Sequence, residues 1–130
     1  MTNNSTPIIL AVDLDNTLIK TDMINVGLKF LLQNKIYLIP KLLWTFMYKG
    51  KTYAKEYLYN KSSFAIDDIN FNDAVINFIT TNKKKYSSTI LISGSYYKYV
   101  DIFANHIGLF DYSVGTTLGT NMVGLNKVKY

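Results

Sequence analysis

The sequence predicts an α/β fold, a Rossmann-like parallel sheet with a helical segment inserted after its first strand. Three observations carry this reading. The apolar run Ile8, Ile9, Leu10, Ala11 and Val12 follows Pro7 directly and ends in two carboxylates. A second apolar run, Thr89 to Ile92, ends in Ser93, Gly94 and Ser95. Between them lies a long stretch whose apolar residues recur near helical spacing. Strand-length apolar runs alternating with helical patterns predict parallel strands joined by right-handed crossovers.

The first run is rich in β-branched residues and suits a central strand covered on both faces. Asp13, Leu14, Asp15, Asn16 and Thr17 then fall where that strand ends, the place where α/β sheets usually do chemistry. A strand's period of two points Asp13 and Asp15 the same way. Two carboxylates side by side repel unless a shared proton or a cation relieves them, and a divalent metal is the natural relief.

In the insert, Met23 to Leu32 is apolar with few charges, and Ile36 to Tyr48 is more apolar still, with Pro40 breaking it or starting a new helix. Gly50 marks a turn before Lys51 to Tyr59, where Tyr53, Tyr57 and Leu58 recur near helical spacing. Asn72 is placed to cap a helix running through Ala74, Val75, Phe78 and Ile79. Asp67 and Asp68 read as capping or solvated charge, and Lys83 to Lys85 as a solvated turn.

After the second strand, Tyr96 to His106 reads as a helix with Val100, Phe103 and Ile107 on one face, ended by Gly108. His106 falls at its end as a charge partner for the helix terminus. Leu109 to Val114 gives a short third strand closing at Gly115, and Lys127 is expected to open a further helix.

The 130 residues suffice for one small domain with a real core, since 48% of them are apolar. There is no cysteine, which excludes disulfides and thiolate metal sites and agrees with a reducing, cytoplasmic setting. All fourteen basic residues are lysines. Without arginine the usual bidentate reader of phosphates and guanine edges is missing, so the net charge of +5 does not point to nucleic acid. Lysines interrupt the apolar stretch from Leu38 to Tyr48 before it reaches the roughly 18 residues of a membrane span. A helix lying in a membrane surface with lysines at its margin remains open, and with it peripheral membrane association.

The run Asp13, Leu14, Asp15, Asn16, Thr17 resembles the first motif, DxDxT, of the haloacid dehalogenase superfamily of aspartate-nucleophile phosphotransferases. Thr89 to Ser95 resembles its second motif, a strand ending in a small hydroxyl residue. Asn121 to Lys127 is similar to the approach to its third, a lysine near the start of a helix. The likeness is closest to the subgroup in which this domain is fused ahead of a UbiA-type prenyltransferase. It is carried by the DLDNTLIKTD start, by Lys51 and Lys55 after Gly50, and by Gly108 to Asp111 leading to Gly115, Thr116 and Thr117.

The resemblance implies a haloacid dehalogenase core at 1–20 and 86–130, incomplete at its C-terminus, and a helical cap at 21–85. It implies a Mg²⁺-dependent phosphatase acting on a small or lipid-linked phosphate ester. Asp13 would be the nucleophile and Asp15 the general acid and base. Ser93 and the Gly94 amide would hold phosphoryl oxygens, with Asn16 and Thr17 on the substrate, and Lys127 would offset charge while Lys129 competes for that role. Mg²⁺ would bind Asp13 and the Asp15 carbonyl, normally with an acid of a fourth motif that is absent before Tyr130. The other expectation is therefore a weakly active or non-catalytic domain, serving as a binding module or as part of a larger protein. The strand carrying Asp13 would then have an unpaired edge, completed by dimerisation or a borrowed strand.

Overall fold

A computed structural model of the chain describes residues 8–117, together with the backbone of 120–127. Strand β1 (Ile9–Asp13) leads through an irregular turn at Leu14–Leu18 into three helices, α1 (Met23–Asn34), α2 (Ile39–Lys49) and α3 (Lys51–Lys61). Helix α4 (Asp73–Asn82) and a lysine turn bring the chain back to strand β2 (Ser88–Tyr96). Helix α5 (Tyr97–Ile107), strand β3 (Tyr112–Thr117) and strand β4 (Thr120–Lys127) follow.

The sheet order is β1-β2-β3-β4. The first three strands are parallel, as the alternation of runs requires, and β4 lies antiparallel on β3. Among the described residues β1 is therefore an edge strand and not the expected central one. Its coverage differs too. Val12 and Leu91 are buried against the helices, whereas Ile9, Ala11, Asp13 and the neighbouring Ile92 are exposed. Helices cover one face of this end of the sheet, and the β-branched composition of β1 does not by itself say on how many faces it is covered.

The helix ends follow local chemistry. Asp22 accepts the Asn25 amide at the start of α1, at 2.8 Å, and Asn72 accepts the Ala74 amide at the start of α4, at 3.1 Å. Pro40 sits in the first turn of α2, where its missing amide costs nothing. Gly108 ends α5 in the left-handed region, φ 72°.

Two expected boundaries move. Leu109 and Phe110 precede β3, where the segment is held by side chains and by the Asp111 amide on the Thr89 carbonyl at 2.8 Å. The Leu109 carbonyl accepts the Thr89 hydroxyl at 2.6 Å and the Lys83 ammonium at 2.7 Å, and the Asp111 carboxylate accepts the Thr89 amide at 2.9 Å. Gly115 then lies inside β3. Lys127, expected at the start of a helix, is instead the last residue of β4, with its backbone paired to Tyr112.

Packing divides the insert. Leu31, Leu42, Ala54 and Leu58 form a small core shared by α1, α2 and α3. Ile79 of α4 belongs instead to the main core under the sheet, with Leu14, Leu18, Leu91, Val100 and Phe103. Burying each such side chain contributes about 1.5–3 kcal/mol. The chain leaves and regains this core at one place, where the Lys20 amide donates to the Asn70 carbonyl and the Asn72 amide to Leu18, both at 2.8 Å.

Candidate active site

The carboxyl ends of β1 and β2 bring the sequence-distant acids and hydroxyls together. Asp13 closes β1 at the level of Ile92. Beyond it the chain turns: Asp15 is extended (φ −70°, ψ 128°), and Asn16 is left-handed (φ 59°) with its amide on the Thr21 carbonyl at 3.0 Å. Asn tolerates that conformation better than most residues. Asp15 is thus part of the turn and not a continuation of the strand, so the period-two argument does not govern its direction.

The two carboxylates have different surroundings. Asp15 is pinned: its Oδ2 accepts the Ser93 hydroxyl at 2.5 Å and the Ser95 hydroxyl at 2.7 Å, and its Oδ1 accepts the Met23 amide at 3.0 Å. The Ser93 oxygen in turn accepts the Ser95 amide at 3.0 Å. Asp13 is exposed, and among the described residues nothing hydrogen-bonds its carboxylate. One acid is fixed in place while the other presents free lone pairs to solvent.

Strand β2 contributes this cluster because its ladder is interrupted. The register on β3 passes from Ile92 to Tyr96, and that on β1 stops at Ile92, so among the described residues Ser93, Gly94 and Ser95 have no strand partner. Such an irregularity next to a site re-aims side chains that a regular strand would alternate. The Gly94 carbonyl, freed from the ladder, accepts the Thr116 hydroxyl at 2.7 Å and the Lys55 ammonium at 2.5 Å.

Lys55 is the residue that motif reasoning did not assign to the chemistry. It sits 39 positions before Gly94, and only the folding of α3 over the end of β2 brings it there. The next residue, Glu56, meets the Tyr96 hydroxyl at 3.3 Å, so adjacent side chains of α3 latch the insert onto β2. Burial pulls the Lys55 ammonium below the ordinary lysine value, repulsion from Lys51 adds to this, and attraction by Asp15 opposes it. Tyr96 is pushed up to about 12, first by burial and then by Glu56 and Tyr97.

The other expected site residues are placed as follows. Thr17 lies half-buried in the turn after Asp15. Lys127 is level with Tyr112, and Tyr112 with Ile90, which puts its backbone three strands away from β1 and short of the strand ends. Its side chain, and all of Lys129, lie outside the described residues. From Met23 to Lys55 the chain carries six lysines and no acid, so the helices beside the site are predominantly cationic, with Glu56 as the acid of α3.

Among the described residues no three acidic, histidine or cysteine side chains gather at one point. Mg²⁺ keeps several waters and is commonly held by one or two carboxylates plus substrate phosphate. The unencumbered Asp13 carboxylate fits a hydrated ion of that kind, completed by a phosphate ester.

No protein-family model and no curated protein matches the sequence. Among solved structures, the chain is similar to a phospho-aspartyl intermediate analogue of phosphoserine phosphatase, with a TM-score of 0.54 and 15% identity over 95% of this chain. It spans 64% of the length of that structure. It is also similar to a phosphoserine phosphohydrolase-like protein from Francisella tularensis (TM-score 0.49, 16% identity, 96% of this chain and 64% of that one). A third match is a haloacid dehalogenase-superfamily hydrolase from Ehrlichia chaffeensis (TM-score 0.46, 25% identity, 91% of this chain and 67% of that one). What the first likeness shows is the fold: a haloacid dehalogenase-like α/β core with helices inserted after the first strand.

Proposed function

We propose that this chain, with its haloacid dehalogenase-like fold, is a phosphomonoester hydrolase working through an aspartyl-phosphate on Asp13. The observation that carries the reading is the contrast between Asp13, exposed at the end of β1 with no side-chain hydrogen bond among the described residues, and Asp15, held by Ser93, Ser95 and the Met23 amide. A nucleophile needs free lone pairs, and a proton-transferring group needs fixed geometry.

In the first step an Asp13 carboxylate oxygen attacks phosphorus. The bond from phosphorus to the ester oxygen breaks, and Asp15 gives its proton to the leaving alkoxide. A carboxylate offers about four lone-pair sites. Both sites of Asp15 Oδ2 are taken by serine hydroxyls and one of Oδ1 by the Met23 amide, which leaves the second site of Oδ1 for the travelling proton. In the second step water attacks phosphorus, Asp15 takes the water's proton, and the bond to Asp13 breaks to release inorganic phosphate.

Lys55 supplies positive charge beside this site. Its ammonium rests on the Gly94 carbonyl and exchanges that neutral acceptor for a phosphoryl oxygen, a stronger charge-assisted partner. Mg²⁺, held by Asp13 and the Asp15 carbonyl, would offset charge on the phosphoryl oxygens.

A second reading, a domain that binds phosphate but turns over poorly, is favoured by the register of Lys127 and by the lack of a third acid near Asp13 among the described residues. Hydrolysis of a generic aryl phosphate with and without Mg²⁺, beside the Asp13→Asn variant, separates the two. Metal-dependent turnover abolished by the substitution is the expected result. A folded chain that binds inorganic phosphate without turnover overturns the catalytic reading in favour of the binding one.

A further inference from the structure

We propose that the groove between α1, α2 and α3 receives the apolar tail of the substrate, which makes the preferred ligand an amphiphilic phosphomonoester with a linear alkyl chain. The proposal names the substrate class and rests on the phosphatase reading for its head-group end.

The groove has a volume of about 500 Å³ and is walled by Leu28, Leu42, Leu43, Phe46, Ala54 and Leu58, with Lys51 and Lys55 as its only charged residues. That size and that lining, apolar with a few polar groups at one end, are those of ligand pockets. Leu42, Ala54 and Leu58 belong to the small core shared by the three helices, whereas Leu43 and Phe46 do not. Leu43 and Phe46 line the groove yet stay 57% and 52% exposed, so apolar surface is held open to water at a standing cost.

Lys55 makes the groove part of the catalytic site and not a separate feature. Its side chain lines the groove, while its ammonium reaches the Gly94 carbonyl between the two serines that hold Asp15. A lysine that buries its stem along apolar surface and keeps its head on a polar group is behaving as its structure allows. The anionic end of a ligand is thereby directed to Lys55 and Asp13, and the carbon chain to the far side, along Leu28, Leu43 and Phe46. A second cavity, of about 430 Å³, lies between α1 and residues 63–70 and includes neither Lys55 nor either catalytic carboxylate. It has no comparable connection to the strand ends.

The test is titration calorimetry of the whole chain with linear alkyl phosphonates of four to ten carbons, below their critical micelle concentrations, beside hydrolysis of the matching alkyl phosphates. Non-hydrolysable phosphonates keep the readout independent of turnover. Affinity is expected to tighten about fourfold per methylene until the groove is filled. Phe46→Gln, at a half-exposed position that tolerates a polar residue, flattens the series, and Lys55→Met weakens every member by a similar factor. Met47→Gln, 77% exposed and outside the groove, leaves both the series and aryl phosphate hydrolysis unchanged. A series that is flat in the parent chain overturns the proposal. So does one that survives Phe46→Gln and collapses in Met47→Gln, which would assign the apolar affinity to the outer face of α2, as for a membrane surface or a second copy. Chain-length-dependent phosphonate binding with no hydrolysis of any ester leaves the groove standing and defeats the catalytic reading. Hydrolysis indifferent to chain length does the reverse.

Discussion

The Ser93 hydroxyl lies 2.5 Å from Asp15 Oδ2, so the strand that follows the insert positions an acid that precedes it. Ser93 also accepts the Ser95 amide, which makes it the hub of three polar groups. Ser93→Ala removes a charge-assisted donor and unpairs a buried amide. A loss of about 1.5–3 kcal/mol in unfolding free energy is expected by denaturant titration. Turnover should fall, because the substitution misplaces Asp15.

Asp13 and Asp15 should separate stability from activity. Asp13→Asn changes an exposed residue whose side chain makes no hydrogen bond among the described residues, so unfolding shifts by no more than about 0.5 kcal/mol while aryl phosphate hydrolysis is lost. Asp15→Asn leaves three donors facing a neutral amide and lowers stability as well as turnover. Thermal melts of both variants beside their rates check the contrast.

Lys55 gives the activity an alkaline limb. Its ammonium is held below the usual lysine value by burial, with Lys51 adding to the effect and Asp15 opposing it. The positive charge that attracts phosphate is complete below that lowered pKa and is lost as pH rises through it, ahead of where an ordinary lysine would titrate. The rise of KM on the alkaline side should therefore disappear in Lys55→Met, whose KM is higher at neutral pH. A profile of KM against pH for both proteins reads this directly.

Gly115 is fixed by contact. A Cβ there would lie 2.4 Å from the Tyr97 Cα, a backbone atom of the first turn of α5, so the helix would have to move off β3. Gly115→Ala is expected to cost about 2–3 kcal/mol. A lower urea midpoint at unchanged slope is the signature.

The elements that the sequence spelled out were those with a local physical cause. The capping side chain of Asn72, the left-handed Gly108, Pro40 in a first helical turn and the apolar run of β2 each act within a few residues, and each is where its chemistry places it. The start of β3 was misplaced because Leu109 and Asp111 are held by Thr89 and Lys83, partners some twenty residues earlier or more. The motif position of Lys127 predicts a helix start, whereas β3 recruits its segment as an antiparallel strand. Asp13, Asp15 and Ser93 were legible because a motif fixes their order. Lys55 was named only for likeness to a subgroup, since no spacing rule links residue 55 to residue 94. That pairing exists only once α3 has packed over β2.

The acid-free stretch from Met23 to Lys55 carries six of the fourteen lysines, and the remaining eight are outnumbered by the nine acids elsewhere. The chain's net positive charge therefore resides in the segment from Met23 to Lys55, which gives it a lopsided long-range field. A phosphate ester diffusing nearby is drawn toward the helices over the site before any contact forms. The capture rate constant should fall steeply as added salt shortens the reach of that field from about 30 Å at 0.01 M to about 8 Å at 0.15 M. The residence time of bound ligand, set by short-range contacts, should change far less.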